Sequence, residues 1–311
     1  MWQYGIADRR PSTTCALCSP LVQNNFCSGL GTFPQLAYNE FLTRLSDRLN
    51  AAIITAPYQV GLDHFALSKR TGDLIRRAIL HCEEDPARLY SPQLPTYCLA
   101  HSLGCKLASI YMAATEHDFE GIGFISFNNF GFANTINMVR EFAEEIQEET
   151  HFTSRRRIDS AALNGFFNFA ENLMESFNVD FTPSPSETER VLSLKYDPDR
   201  QRKTRLFVFD DDNMDSSASF VRACRKDGEG VSVSGLPGNH MTPVFFQLGL
   251  NNLPEEARSV AGSDSFGGFQ NVSFGSLDEL NLLVEEVYKF ILGKEPSRTP
   301  KVPLLASKDD I

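Results

Sequence analysis

Short apolar runs alternate with amphipathic stretches through the first 130 residues, and the same alternation returns after about residue 204. Ala51–Ala56, Tyr97–Ala100, Ile122–Phe127 and Thr204–Phe209 are each continuous enough to predict strands buried on both faces of a parallel sheet. Leu21 to Cys27 reads as an earlier strand despite the interruption at Gln23-Asn24-Asn25, and Val231–Ser234 as a short last one. Between these runs the period becomes helical. A helix is expected over 35–49, and another over 64–82 with Phe65, Leu74, Ile75, Ala78 and Ile79 facing inward. Two more are expected over 104–112, around Leu107, Ala108, Ile110 and Tyr111, and over 277–292, around Leu280, Leu283, Val284, Val287 and Ile291. Strand following helix at such short spacing predicts an α/β fold: a mostly parallel sheet covered by helices on both faces.

The pattern breaks between 131 and 203, where no strand is evident. Helices are expected over Asn137–Thr150 and Ile158–Phe177, the second carrying Phe166, Phe167, Phe169 and Phe177. This reads as an inserted helical lid, whose aromatic stripe would line a cleft beneath it with apolar surface. Ser186 and Glu189 suggest a capping box at the start of a further helix. The expected organisation is a poorly ordered N-terminal extension over 1–20, a core over 21–130 and 204–292, the lid over 131–203, and a disordered tail over 293–311.

Composition narrows the function. A length of 311 residues with 42% hydrophobic residues and 25 Phe suits one large domain with an insertion. The net charge of −11 argues against nucleic acid or an anionic membrane surface as partner. No apolar run is long enough for a transmembrane segment, and Met1 to Pro20 lacks the apolar core of a signal peptide. Seven scattered Cys fit reduced thiols in an intracellular compartment, and the lone Cys15-Ala16-Leu17-Cys18 has no second pair, so no metal is expected. No cofactor motif is present either.

Candidate chemistry begins at Ala100-His101-Ser102-Leu103-Gly104, one residue away from the G-x-S-x-G nucleophile elbow. A strand turning sharply into a helix exposes the central Ser above the sheet, and small flanking residues are needed where the two backbones nearly touch. The bland alternative is a Ser-capped βα turn. Asp210-Asp211-Asp212-Asn213-Met214-Asp215 follows the strand at 204–209, where such a fold keeps the acid that orients its His. Asp212 is the first choice by offset and Asp211 the second, with Asp215 as a possible helix cap. A calcium loop starting at Asp211 fails, because Ser216 and Arg222 occupy the positions that need Gly and Glu. His240 lies in the turn Gly235 to Pro243 beyond the last strand, which gives the hydrolase chain order Ser102, Asp212, His240. Leu103 N–H and a loop N–H from Gly29, Leu30 or Gly31 are the expected oxyanion donors. His101 reads as packed under the loops, and Lys106 as a surface or structural charge.

Ala37-Tyr38, Leu62-Asp63-His64, His101 to Lys106, Ile125 to Asn129, Phe181 to Pro185, the Asp210–Asp215 run and Leu236 to Pro243 together resemble the family called domain of unknown function 1350. The resemblance spans about residues 27–290. It implies an α/β-hydrolase-like fold and, for a eukaryotic member, a plastid, but no defined substrate. The family usually has Gly where Ala100 stands and a Gly-Gly loop where Val22 to Thr32 lies. Two functions follow as expectations. One is a serine hydrolase of an ester or thioester of an apolar acyl group, without cofactor. The other is a non-catalytic relative of the fold that binds or assembles with a protein partner.

Overall fold

The computed structural model describes residues 13–18, 38–58, 61–84, 95–132, 134, 180–224, 230–248 and 272–301. In chain order the elements are β1 (Thr13–Cys18), α1 (Asn39–Leu49), β2 (Ala51–Ala56), α2 (His64–Glu84), β3 (Thr96–His101), α3 (Leu103–Ala114) and β4 (Gly121–Ile125). Then come α4 (Pro185–Lys195), α5 (Pro198–Lys203), β5 (Thr204–Phe209), α6 (Ser217–Cys224), β6 (Ser232–Leu236), β7 (Phe246–Leu248), β8 (Val272–Phe274) and α7 (Leu277–Ile291).

Six strands form a parallel sheet in the order β2-β1-β3-β4-β5-β6. The order reverses direction between β1 and β3, and a crevice opens at the carboxyl ends of strands at such a switch point. Period-2 alternation sends neighbouring side chains of one strand to opposite layers. In β5, Leu206 and Val208 enter the core beneath α2, α3, α4 and α6, while Phe207 and Phe209 enter the one beneath α1 and α7. In β3, Cys98 and Ala100 take the first side and Leu99 the second. This two-sided burial is why the strands read as unbroken apolar runs. Gly123 of β4 leaves room for its neighbours, since a Cβ there would lie 2.5 Å from the Leu99 side chain.

Several expectations need correction. Part of the supposed N-terminal extension is the second strand of the sheet: Thr13–Cys18 pairs with both β2 and β3. That stretch is uninterrupted and starts with two β-branched Thr, whereas the anticipated strand over 21–27 lies outside the described residues. The proposed lid boundary at 203 runs too far, because α4 packs on the core, with Leu192 fully buried and Tyr196 2% exposed. The lid helices expected over 137–150 and 158–177 lie outside the described residues. The cap of α4 is Ser184 with Glu187 rather than Ser186 with Glu189; Pro185, favoured at the first helical position, sets that frame.

The start of the C-terminal tail is ordered too. Arg298 and Lys301 pair with Asp210 at 2.7 and 2.9 Å, and Gly235 N–H donates to Arg298 O at 2.8 Å. Buried Glu286 accepts from Ser234 Oγ and Ser297 N–H, both at 2.9 Å, so residues 297–301 are strapped along β6. On α2 the inward prediction fails for Phe65, which is 43% exposed.

Candidate active site

Three strand ends converge at the carboxyl edge of the sheet. Ser102 follows β3 directly and sits at φ 54°, ψ −128°, a region strained for any residue with a Cβ. Its N–H donates to Ile125 O at 3.0 Å, and Cys105 N–H donates to its carbonyl at 2.9 Å, which fixes the turn between strand and helix. Ala100, two residues earlier, is fully buried and lies level with Cys18 of β1 and Phe124 of β4 in the strand register. The methyl group therefore fits where the bare elbow pattern has Gly.

Asp212 lies three residues past β5, and its side chain is fully buried. His240 lies four residues past β6 and is 4% exposed. The two loops are stitched together, with Asp210 N–H donating to Leu236 O at 2.9 Å and Asp211 N–H to Gly238 O at 3.1 Å. His240 Nδ1 faces both Asp212 oxygens at 3.1 and 3.0 Å, and its Nε2 is 2.8 Å from Ser102 Oγ. A carboxylate can only accept, so Nδ1 carries the proton and Nε2 is left to accept from the serine hydroxyl. Burial works against the Asp212 charge. The facing His240, its hydrogen bond, the Ser126 hydroxyl and Met214 N–H outweigh that and hold the carboxyl below its ordinary value. Ser126 Oγ is buried beside it, short of full hydrogen-bond geometry with any of the described residues.

The structure thus brings together Ser102, Asp212 and His240, with Leu103 opening α3, where a first-turn N–H has no acceptor within its own helix. Asp211 is a correction: its side chain is exposed and only its backbone touches the histidine loop, because the turn after β5 points the next residue inward. Gly29, Leu30 and Gly31 lie outside the described residues. Beside the elbow, Leu103 and Leu107 pack with Leu67 and Tyr58 as an apolar cluster.

Among the neighbours, Asp215 takes the helix-cap role that the sequence suggested. It caps the start of α6, accepting from Ser217 N–H at 3.0 Å, and burial pushes its carboxyl up to about 6. Lys106 is not a surface charge. It is 1% exposed, donates to Pro183 O at 2.9 Å and has its ammonium pushed down to about 8 by burial. His64, also 1% exposed, stacks on Phe181 at 4.3 Å between ring centroids, and neither ring nitrogen has a hydrogen-bond partner among the described residues. Among the described residues no group of three His, Cys, Asp or Glu could hold a metal ion, and no helix is long and apolar enough to cross a membrane.

No curated protein matches the chain in sequence. Among solved structures, the chain is similar to the siderophore hydrolase EstB from Aspergillus fumigatus, with 12% identity, 92% of each chain covered and a TM-score of 0.51. It is also similar to a soluble variant of monoglyceride lipase from Saccharomyces cerevisiae, with 12% identity, 95% of this chain and 92% of that one covered, and a TM-score of 0.46. The peroxisomal alpha-beta-hydrolase Lpx1 from the same yeast is 12% identical, with 97% and 85% covered and a TM-score of 0.47. The parallel sheet and flanking helices are those of the α/β-hydrolase fold. Matched over residues 14–267, the chain belongs to the family described as protein of unknown function (DUF1350).

Proposed function

We propose that this chain is a serine hydrolase acting on an ester or thioester of an apolar acyl group. The observation that carries the reading is the continuous hydrogen-bonded line from Asp212 through His240 to Ser102, with a 2.8 Å link to the hydroxyl. Ser102 Oγ attacks the acyl carbonyl carbon while its proton passes to His240 Nε2. The new oxyanion faces Leu103 N–H, its donor among the described residues. Collapse breaks the bond to the leaving oxygen or sulfur, which takes the proton back from His240. Water then attacks the acyl-Ser102 ester by the same route and releases the acid. Asp212 keeps the Nδ1 tautomer and faces the imidazolium that forms. The apolar cluster of Leu67, Leu103, Leu107 and Tyr58 beside the elbow supports an apolar acyl group.

The test is turnover of p-nitrophenyl esters of graded acyl length by the purified chain and by its Ser102→Ala variant. Hydrolysis that falls by about 10⁴-fold or more in the variant, at an unchanged melting temperature, supports the reading. Equal turnover by the two proteins sinks it and leaves the non-catalytic binding subunit as the account of the fold.

A further inference from the structure

His101, adjacent to the elbow serine, is 4% exposed and has both ring nitrogens engaged. Its Nε2 lies 2.8 Å from the backbone carbonyl oxygen of His240, and its Nδ1 lies 3.1 Å from Tyr38 OH. A carbonyl can only accept, so Nε2 bears the hydrogen, Nδ1 is the acceptor and Tyr38 must donate. Every polarity in the chain from Tyr38 to His101 to His240 is therefore set. Tyr38 reaches the same loop a second time, because its ring packs on Val244 and beside Met241. The loop is also held by local bonds, Met241 N–H to Asn239 Oδ1 at 2.9 Å and Asn239 N–H to Thr242 Oγ1 at 3.0 Å, by Asp211 N–H to Gly238 O at 3.1 Å, and by Thr242 Oγ1 to Glu279 Oε2 at 3.4 Å. Such bonds shape the loop without tying it to β3. His101 is the side chain that links the backbone of His240 to the strand carrying Ser102.

We propose that His101 and Tyr38 are positioning residues that set the distance between the His240 imidazole and Ser102. The inference rests on the hydrolase reading for its kinetic consequence, though not for its geometry. The two imidazoles stand 5.0 Å apart, so a charge on His101 would oppose the imidazolium formed on His240. Burial and the neighbouring His240 push the His101 imidazole down to about 3, against the pull of Asp212, so it stays neutral. Tyr38, which faces it from the start of α1, stays protonated, with its phenol raised by burial and by Cys105. A neutral, tautomer-locked imidazole holds the carbonyl and adds no charge.

The experiment measures the rate at which a fluorophosphonate labels Ser102, with the His240 Nδ1–H proton resonance read on the same samples by NMR. The His101→Leu variant removes the donor to the carbonyl. A displacement of about 1 Å at the His240 ring slows a positioned reaction on the order of 100-fold, so labelling should fall between 10- and 100-fold. His101→Gln keeps an N–H for the His240 carbonyl and an oxygen for Tyr38, and should return to within about threefold of wild type. Tyr38→Phe, which deletes only the phenol oxygen, should fall between the two and keeps the test alive if the Leu variant does not fold. A purely structural histidine predicts that folded Gln and Leu variants label alike, and that result overturns the proposal. So does wild-type labelling by both the Leu and the Phe variants. If wild type itself does not label, the hydrolase reading falls alone. The positioning role is then decided by the Nδ1–H resonance, which should persist in the Gln variant and vanish in the Leu variant; its survival in the Leu variant overturns the role.

Discussion

Acidifying the protein from pH 7 to pH 5 perturbs two buried imidazoles at once. His64 and His101 are both neutral in the fold, each pushed down to about 3, chiefly by burial; Lys106 adds to the effect at His64 and His240 at His101. In the unfolded chain each takes up a proton near pH 6.5. A group whose folded pKa is depressed contributes stability above its unfolded value and loses it as pH falls towards the folded one. At pH 5 the loss is about 2 kcal/mol per group, and it barely changes if the folded value is a unit higher, because both states are already far from it. Two groups make about 4 kcal/mol. Asp215 works the other way: its carboxyl, raised by burial to about 6, is penalised at pH 7 and relieved on acidification. Being only partly buried, it offsets about 1 kcal/mol. Lys106, at about 8, is a cation in both states over this range and contributes no slope. The net expectation from these groups is a loss of about 3 kcal/mol between pH 7 and pH 5, and half-buried His117, whose imidazole is also pushed down by burial, adds to it in the same direction. Urea unfolding at the two pH values, with the slope m unchanged, measures it. His101→Gln should remove about half of the contribution from His64 and His101. Flat or rising stability on acidification refutes the argument that both rings are buried neutral.

Much of the fold was legible because the sheet is buried on both sides. β2 and β5 match their apolar runs residue for residue, since a strand flanked by two cores cannot carry a polar face. β1 was missed for the opposite reason: Thr13 to Cys18 opens with two Thr and is less apolar than its neighbours, and only those neighbours reveal a place in the sheet. Ser102, Asp212 and His240 were legible as a set, each following a strand, although the choice among four Asp rested on offset alone. The supporting residues were not legible. Tyr38 and His101 are 63 residues apart, and Lys106 meets a carbonyl 77 residues away. No local periodicity encodes such pairs; they exist only once the strand ends meet. The tail was misread because its polar residues looked solvated, whereas Arg298 and Lys301 neutralise a nearly buried Asp210.

Two further perturbations separate the parts of the account. Asp212→Asn presents an amide N–H to Nδ1 and moves the ring proton to Nε2, where it cannot accept from Ser102; kcat should fall by about 10⁴-fold with little change in melting temperature. An unchanged kcat would remove Asp212 from the mechanism. Gly235→Ala puts a Cβ 2.5 Å from Thr299 O and 2.6 Å from Pro300 N, both backbone atoms of the strapped tail. The variant should lose about 1–3 kcal/mol in urea unfolding and expose residues 297–301 to proteolysis; wild-type values for both would show that the strap does not bear on β6.

Covalent capture of the hydroxyl at residue 102 is the most direct measurement of the central claim. Purified chain is treated with a fluorophosphonate, digested, and the adduct located by mass spectrometry, alongside His240→Ala and Asp212→Asn proteins. The account predicts one phosphonylated serine, Ser102, in the wild-type chain, with labelling slowed in both variants. An unmodified Ser102 in folded wild-type protein, or equal labelling in all three, would contradict it.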